Sequence, residues 1–232
     1  MKIFAFIFAR GGSKGLPGKN LLNLDGKPLL AHSIMTAKNI DEISRIFVST
    51  DSSEIAEVAI KYGAEVINRP SNLAQDNSPE WMSWAHSVNW LEKRGEFFDC
   101  FVSLPTTAPL RNKNDVTKCI DLLDKQTDMV ITISESSRSP YFNMVKKDGN
   151  YIKLLIDSKK VYSRRQDAPE IYDMTTVAYV TRPNFIKNNN KIFDGRVKAS
   201  IIPKNRAVDI DDELDFKMAE LLMKEDRGNT DD

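Results

Sequence analysis

A glycine-rich segment carrying three cations lies at residues 9–20, directly after an apolar run at residues 3–9. Its cationic side chains are Arg10, Lys14 and Lys19, and glycines occupy positions 11, 12, 15 and 18. Glycines let backbone N–H groups approach a polyphosphate closely, and the cations supply the countercharge. Open parallel sheets bind ligands beyond the carboxyl ends of their strands, which is where this segment falls. It therefore predicts a triphosphate-binding loop rather than a solvated surface turn.

Two familiar phosphate-binding templates do not fit this loop. A loop of the Walker A type needs glycine where Ser13 stands and a hydroxyl residue after the lysine, where Asn20 stands. The dinucleotide fingerprint G-x-G-x-x-G also fails, because the glycines fall at 12, 15 and 18. The loop is thus predicted to hold a triphosphate without belonging to either class.

A pair of carboxylates near the carboxyl terminus, Asp209 and Asp211, is separated by one residue. In an extended segment, residues i and i+2 point the same way, so both carboxylates can face one cation. Hard oxygen ligands that leave room for water and phosphate suit Mg²⁺. Asp211 can equally cap the helix predicted to follow, since aspartate is a favoured N-cap, and the two roles are compatible. Asp51, at the end of the second predicted strand, is likewise predicted to cap the next helix.

The elements that must position these groups alternate between continuous apolar runs and amphipathic stretches. This alternation predicts an α/β fold, with a mostly parallel sheet covered by helices on both faces. Strands are predicted at 3–9, 44–50, 64–68, 101–104, 129–133, 174–181 and 197–202, and helices at 28–38, 53–62, 78–94, 114–125 and 211–224. No repeat or linker divides the chain, so residues 1–232 are predicted to form one domain.

Residues 141–163 depart from this alternation. Two β-rich runs, 142–146 and 151–156, flank Lys147-Asp148-Gly149-Asn150, and Asp-Gly between such runs is a strong hairpin signal. The apolar side chains of this segment are too numerous for a hairpin standing alone in water. We therefore expect it to be an arm that packs on another surface.

Composition excludes several classes of function. The 33 basic and 33 acidic residues balance, so no global field attracts nucleic acid or an anionic membrane. The two cysteines, Cys100 and Cys119, match no metal or disulfide spacing and are expected to be buried thiols in a reducing cytoplasm. Only two histidines are present, which disfavours a multi-histidine zinc site. The opening apolar run is short and interrupted by Arg10, so a strand is predicted there rather than a signal peptide or membrane span.

Several motifs, in order along the chain, resemble one known family. They are Arg10-Gly-Gly-Ser-Lys-Gly-Leu-Pro-Gly-Lys-Asn20, Ile46-Phe-Val-Ser-Thr-Asp51 with Glu54-Ile-Ala56, Tyr62-Gly-Ala-Glu-Val66, Arg69-Pro70 with Leu73-Ala74 and Asp76, Pro105-Thr-Thr-Ala-Pro-Leu-Arg111, Arg165-Gln166, and Val208-Asp-Ile-Asp-Asp-Glu-Leu-Asp215. Together they resemble the acylneuraminate cytidylyltransferases, or CMP-sialic acid synthetases. The first and last motifs are the most specific, and the resemblance extends over nearly the whole chain.

The resemblance implies that CTP and an acidic nine-carbon keto-sugar react by attack of the anomeric hydroxyl on the α-phosphate, releasing pyrophosphate. It further implies a homodimer in which the arm at 141–163 helps close the partner's sugar pocket. The implied catalytic residues are Lys19, Asp209 and Asp211, with Mg²⁺ on the two aspartates. The implied nucleotide ligands are Arg10, Gly11, Gly12, Ser13, Lys14, Asn20 and Arg69, and the implied sugar ligands are Leu104, Arg165, Gln166 and Tyr179.

Two departures bear on the sugar, and a third bears on the choice of base. Leu104 stands where many sialic acid enzymes have glutamine, and Tyr172-Asp173-Met174 stands where they tend to have Arg-Pro-Asn. With Ser139-Pro140-Tyr141-Phe142-Asn143, these residues look more like the bacterial CMP-legionaminic acid synthases. Glu80 also stands where the family often has a small hydroxyl residue near the base. The pattern favours a deoxygenated, diacetamido sugar over N-acetylneuraminic acid.

Other functions stay open at this point. One is nucleotidyl transfer to an eight-carbon ulosonic acid or a neutral sugar phosphate. Another is glycosyl transfer, because Asp209-Ile-Asp211 is similar to the metal motif of that class, although a third-strand location would be expected there and not one near the C-terminus. A third is a non-catalytic nucleotide-binding regulator, which the intact Lys19 and aspartate pair disfavour.

Overall fold

The computed structural model describes residues 1–158, 162 and 164–228. The strands are β1 (Ile3–Phe8), β2 (Asn23–Leu24), β3 (Lys27–Pro28), β4 (Ile43–Thr50), β5 (Glu65–Asn68), β6 (Cys100–Ser103), β7 (Met129–Glu135), β8 (Val145–Asp148), β9 (Tyr151–Leu154), β10 (Tyr172–Thr181) and β11 (Val197–Ile201). The helices are α1 (Leu29–Lys38), α2 (Ser53–Lys61), α3 (Glu80–Glu92), α4 (Lys113–Asp121), α5 (Pro183–Asn188) and α6 (Glu213–Gly228).

Seven strands form the main sheet, in the order β11-β7-β10-β6-β1-β4-β5. Strand β10 runs antiparallel to both of its neighbours, whereas the other pairings are parallel. The predicted α/β fold with a mostly parallel sheet is therefore confirmed. A strand was predicted at 174–181, but its antiparallel direction was not. Strand direction depends on where the chain re-enters the sheet, and no local sequence pattern records this.

The two faces of the sheet are covered by different helices. Strand β1 alternates, so that Ile3, Ala5 and Ile7 pack with residues of α1, α2 and α4 on one face. Phe4 and Phe6 pack on the other face with residues of α3 and α5. The two cysteines are buried free thiols, as expected, and burial raises the pKa of each to about 12. Helices on both faces, the second part of the fold prediction, are confirmed.

Element boundaries differ from expectation where a polar side chain competes with the helix. Helix α4 ends at Asp121 instead of continuing to residue 125. Beyond it, the Asp124 carboxylate accepts hydrogen bonds from the Gln126 backbone N–H (2.9 Å) and the Thr127 hydroxyl (2.7 Å). Such local bonds favour a turn over helix. The short helix α5 was not predicted at all.

The predicted hairpin forms as β8 and β9, paired antiparallel around Gly149, which has a positive φ of 61°. All eight strand residues are exposed. Val145 lies opposite Leu154, and Ile152 shares their face because it is two residues from Leu154. Residues 159–161 and 163 of the predicted arm lie outside the described residues. Among the described helices, none is long and apolar enough to cross a membrane.

Candidate active site

A cleft of about 380 Å³ opens at the carboxyl end of β1. It brings together the glycine-rich loop, the segment after β6 and the segment before α6. The residues that line it are Phe8, Arg10, Ser13, Lys14, Gly15, Lys19, Asn20, Thr106, Thr107 and Asp211. Six of the residues proposed from sequence for nucleotide or metal binding therefore share one cavity.

Lys19 connects the loop to the acidic segment. Its Nζ donates to the Ile210 carbonyl at 2.5 Å and lies 3.3 Å from Oδ1 of Asp211. The lysine side chain is only 12% exposed, whereas that of Asp211 is 77% exposed. The ammonium is thus held at the inner wall of the cleft, beside a carboxylate that faces outward.

The acidic pair is arranged around the buried Ile210, whose backbone N–H donates to the Thr107 carbonyl at 2.8 Å. Oδ1 of Asp209 is buried and accepts no hydrogen bond from any residue that the structure describes. A buried carboxylate oxygen without a partner is costly unless a cation or water satisfies it. Within the described chain, no group of three or more acidic, cysteine or histidine side chains is placed to hold a metal. The two carboxylates offer hard oxygen donors of the kind that Mg²⁺ takes beside water and phosphate, and the unpartnered Oδ1 of Asp209 is compatible with such an ion.

Helix α6 is capped by Asp212 rather than by Asp211. Oδ1 of Asp212 accepts from the backbone N–H groups of Leu214 (2.8 Å) and Asp215 (3.0 Å). The carboxylate of Asp215 in turn accepts from the N–H groups of Asp211 and Asp212. The capping role considered for Asp211 falls one residue later, which leaves its carboxylate directed to the cleft.

Asn20 is held inside the protein at both ends of its amide. Its Oδ1 accepts from the Thr106 hydroxyl at 2.6 Å, and its Nδ2 donates to the Arg10 carbonyl at 3.0 Å. Asn20 and Thr106 are both buried. Asn20 lines the cleft, and these two bonds make its amide a brace of the loop, while its role as a nucleotide ligand stays a prediction.

The segment after β6 is anchored by Arg111, a residue that the sequence motif contained but to which no role was assigned. Its guanidinium is fully buried and donates to the Val177 carbonyl (2.7 Å), the Ser33 hydroxyl (2.7 Å) and the Pro105 carbonyl. Burial lowers its pKa to about 9, so it stays charged at neutral pH. Arg111 thereby fixes the strand end that carries Thr106.

Asp51 does not cap helix α2, and this expectation was wrong. The N-cap is Ser52, whose side chain accepts from the Ile55 N–H at 3.4 Å. Oδ1 of Asp51 instead accepts from the Gly11 N–H at 3.0 Å and so supports the glycine-rich loop. Asp51, at the end of β4, thus binds the loop that follows the neighbouring strand β1. The two residues are 40 positions apart, so no local sequence pattern reveals this contact.

Close packing explains one of the loop glycines. A Cβ atom at Gly15 would lie 2.3 Å from the backbone oxygen of Asp211, a distance that the neighbouring backbone could not accept. Gly12 has open space around it and can present its backbone to a ligand. The loop therefore depends on glycine at position 15 for its approach to the acidic segment.

Arg10 and Lys14 both pair with Asp76, a residue quoted in the sequence motif but not expected at the site. Nη1 of Arg10 lies 2.7 Å from Oδ1, and Nζ of Lys14 lies 2.5 Å from Oδ2. Arg69 lies deeper. It donates to the Ser49 hydroxyl (3.2 Å) and carbonyl (2.6 Å). Arg69 therefore supports β4 and is less available to a nucleotide than Arg10 or Lys14.

Residues proposed for the sugar are dispersed. Leu104 is fully buried in the core, so it faces no open cleft. Tyr179 is buried beside Trp84, with ring centroids 5.5 Å apart. Gln166 is exposed and lines a second cavity of about 440 Å³, together with residues from 135 to 172. The side chain of Arg165 lies outside what the structure describes.

Glu80 lies at the start of α3, on the side of the sheet that carries Tyr179. Its carboxylate accepts a hydrogen bond from Nε1 of Trp84 at 3.0 Å. Desolvation raises its pKa and the charge of Asp209 adds to the rise, whereas Trp84 and Arg69 lower it.

Comparison with known proteins identifies the family. Residues 4–210 match the family described as Cytidylyltransferase, which covers most of the chain. The chain belongs to the cytidylyltransferase family. The lining of the cleft by loop cations and Asp211 is consistent with a nucleotidyltransferase. The finding bears out the resemblance drawn from the sequence motifs.

Three individual relatives are 31–35% identical to this chain. The post-translational flagellin modification protein B of Campylobacter coli is 35% identical over 97% of this chain and 96% of its own length. A CMP-N,N'-diacetyllegionaminic acid synthase of Campylobacter jejuni is 34% identical over 96% and 95%. A pseudaminic acid cytidylyltransferase of Campylobacter jejuni is 31% identical over 97% of each chain.

A solved structure supports the fold of this cytidylyltransferase. CMP:2-keto-3-deoxy-manno-octonic acid synthetase, complexed with CTP, superposes with a TM-score of 0.74. It covers 97% of this chain and 100% of its own, at 17% sequence identity. At that identity the match speaks for the fold alone.

Proposed function

We propose that this cytidylyltransferase activates an acidic nine-carbon keto-sugar with CTP, giving the CMP-sugar and pyrophosphate. The observation that carries the proposal is the contact of Lys19 with the Ile210 carbonyl and the Asp211 carboxylate. It joins a cationic, glycine-rich loop to an acidic pair across one cleft, which is what transfer between a triphosphate and an acceptor requires.

The chain's own residues would hold the triphosphate and orient the acceptor. Arg10, Lys14 and Lys19 would pair with phosphate oxygens, and the loop backbone would donate N–H groups. The anomeric hydroxyl oxygen forms a bond to the α-phosphorus while the bond to the bridging oxygen of the β-phosphate breaks. Pyrophosphate leaves, and the hydroxyl proton is lost. We assign no general base.

Asp209 and Asp211 would hold a divalent cation, for which Mg²⁺ is our proposal. The unpartnered buried Oδ1 of Asp209 and the outward carboxylate of Asp211 support this assignment. When bound, the ion would supply positive charge against the phosphate oxygens. Lys19, 3.3 Å from Asp211, would add its own positive charge for the phosphate oxygens.

For the sugar we propose a diacetylated legionaminic-type acid. Leu104 is buried in the core and faces no open cleft, so the support comes from residues 139–143 and 172–174, which resemble those of the CMP-legionaminic acid synthases. Curated relatives named for legionaminic and for pseudaminic acid are 34% and 31% identical, so overall identity does not choose between the two. Arg165 and Gln166 would bind the sugar side, and an arginine suits its carboxylate. Tyr179 is a weaker candidate.

The exposed hairpin supports a homodimer. Val145, Ile152 and Leu154 share one face of a hairpin that is exposed throughout its strands. Exposed apolar surface of this kind marks an interaction site. We propose that this face packs on a second copy of the chain, and that the enzyme works in the reducing cytoplasm that its two free thiols suit.

Pyrophosphate release tests the proposal. The chain would be assayed with CTP, UTP, ATP and GTP, each with diacetyllegionaminic, pseudaminic and N-acetylneuraminic acids, an eight-carbon ulosonic acid and a neutral sugar phosphate. We expect release with CTP, Mg²⁺ and a nine-carbon acid. One methyl-sized difference in an apolar pocket discriminates by roughly 10- to 200-fold, so the preferred acid should lead in kcat/KM without excluding the others. Equal use of all nucleotides, or release with none, would refute the assignment.

A further inference from the structure

Asp76 contacts two proposed triphosphate ligands without having any assigned role. It lies between β5 and α3, and each carboxylate oxygen meets a different cation. Oδ1 is 2.7 Å from Nη1 of Arg10, and Oδ2 is 2.5 Å from Nζ of Lys14. Both cations line the cleft at the end of β1, whereas Asp76 is not among the residues that line it.

This arrangement imitates a bound polyphosphate. A carboxylate and a phosphate group both present anionic oxygens that accept charge-assisted hydrogen bonds from arginine and lysine. The hydrogen bond from Lys14 and that from Arg10 lower the pKa of Asp76, so the carboxylate is ionised at neutral pH. An incoming triphosphate must therefore compete with Asp76 for the same two side chains.

We infer that Asp76 is an internal placeholder anion, which pairs with Arg10 and Lys14 in the nucleotide-free enzyme and yields them to the triphosphate. The inference rests on the proposed function of the cleft. Asp76 and Lys14 are substantially exposed, and exposed pairs are weak, so the exchange costs little. The pairs keep two long side chains at the mouth of the cleft and lower the affinity for nucleotide and for pyrophosphate.

The test is equilibrium binding of CTP, and separately of inorganic pyrophosphate, to the full-length protein by calorimetry. Asp76→Asn keeps the shape but removes the charge. We expect it to bind both ligands more tightly, by roughly two- to tenfold, the range set by losing two exposed ion pairs. Damage to the fold could not tighten binding. Unchanged or weaker binding by Asp76→Asn and by Asp76→Ser would overturn the inference. Weaker binding would mean that Asp76 positions Arg10 and Lys14 for the ligand.

Two further variants complete the design. In a Lys14→Met background the gain from Asp76→Asn should shrink, because one of the two competing pairs is already absent. Asp41→Asn, an exposed carboxylate on the loop before β4, makes the same change in net charge and should leave both affinities unchanged. If the wild-type protein bound neither CTP nor pyrophosphate, the proposed function itself would fail. Binding by the wild type without a gain in Asp76→Asn would refute only the placeholder.

Discussion

Nζ of Lys19 lies 3.3 Å from Oδ1 of Asp211, although the two residues are 192 positions apart in the sequence. The same ammonium donates to the Ile210 carbonyl, and the Ile210 N–H donates to the Thr107 carbonyl. Three separate segments, the glycine-rich loop, the end of β6 and the acidic pair, are thus tied into one unit.

Replacing Lys19 with methionine should lower turnover by about 100- to 1,000-fold, the usual cost of removing one preorganised group that stabilises transition-state charge. Methionine keeps the apolar stem but loses the hydrogen bond to the Ile210 carbonyl, so a moderate loss of thermal stability should accompany the change, and thermal melts show that the variant is folded. Steady-state kinetics with varied CTP measure the effect. Lys61→Met, at the end of α2, serves as the matched control. Near-normal turnover of Lys19→Met would remove this lysine from the proposed catalytic group.

Replacement by asparagine should affect turnover at Asp211 and helix stability at its neighbour Asp212. Asp211→Asn, like Asp209→Asn, should lower turnover by orders of magnitude and shift the Mg²⁺ requirement upward, because each removes a ligand charge. Asp212→Asn disturbs only the cap of α6 and should alter stability by less than about 2 kcal/mol, with turnover retained. Mg²⁺ titrations and thermal melts separate the two effects. Normal turnover of Asp211→Asn at limiting Mg²⁺ would exclude it as a ligand.

The hydroxyl of Thr106 should be needed to orient Asn20. Thr106→Val leaves Oδ1 of the buried Asn20 without its 2.6 Å partner, a loss of about 1–3 kcal/mol. We expect kcat to fall about tenfold or more, because a freed Asn20 amide no longer holds the Arg10 carbonyl. Thr106→Ser keeps the hydroxyl and should recover most of the loss. If serine and valine behaved alike, the hydrogen bond would not be the cause.

The apolar face of the hairpin should be required for self-association. A lysine at position 152 adds a second charge opposite Lys147 and removes one of the three apolar side chains that share this face, leaving Val145 and Leu154. Light scattering should show a dimer for the wild type and a monomer for Ile152→Lys at micromolar concentration. Lys146→Glu alters the opposite face and should stay dimeric. A wild-type monomer with full activity would contradict the proposed dimer.

The sequence by itself determined the class of fold and the chemistry of the two main motifs. Apolar runs alternating with amphipathic helices predict a parallel sheet, because each element carries its own local period. The loop at 9–20 and the pair Asp209 and Asp211 could be recognised for the same reason, since the spacing that matters lies within a few residues. The family resemblance extended these motifs to CTP and a sugar acid.

Only the tertiary structure decided which distant residues contact one another and which role each side chain has. It assigned the cap of α6 to Asp212, directed Asp51 to the loop instead of to α2, and buried Leu104 in the core. It also inserted β10 antiparallel between β6 and β7. These outcomes depend on hydrogen bonds and packing between segments that are far apart along the chain. Such contacts leave no period in the sequence, because the partner of each group is set by where the sheet brings the chain back.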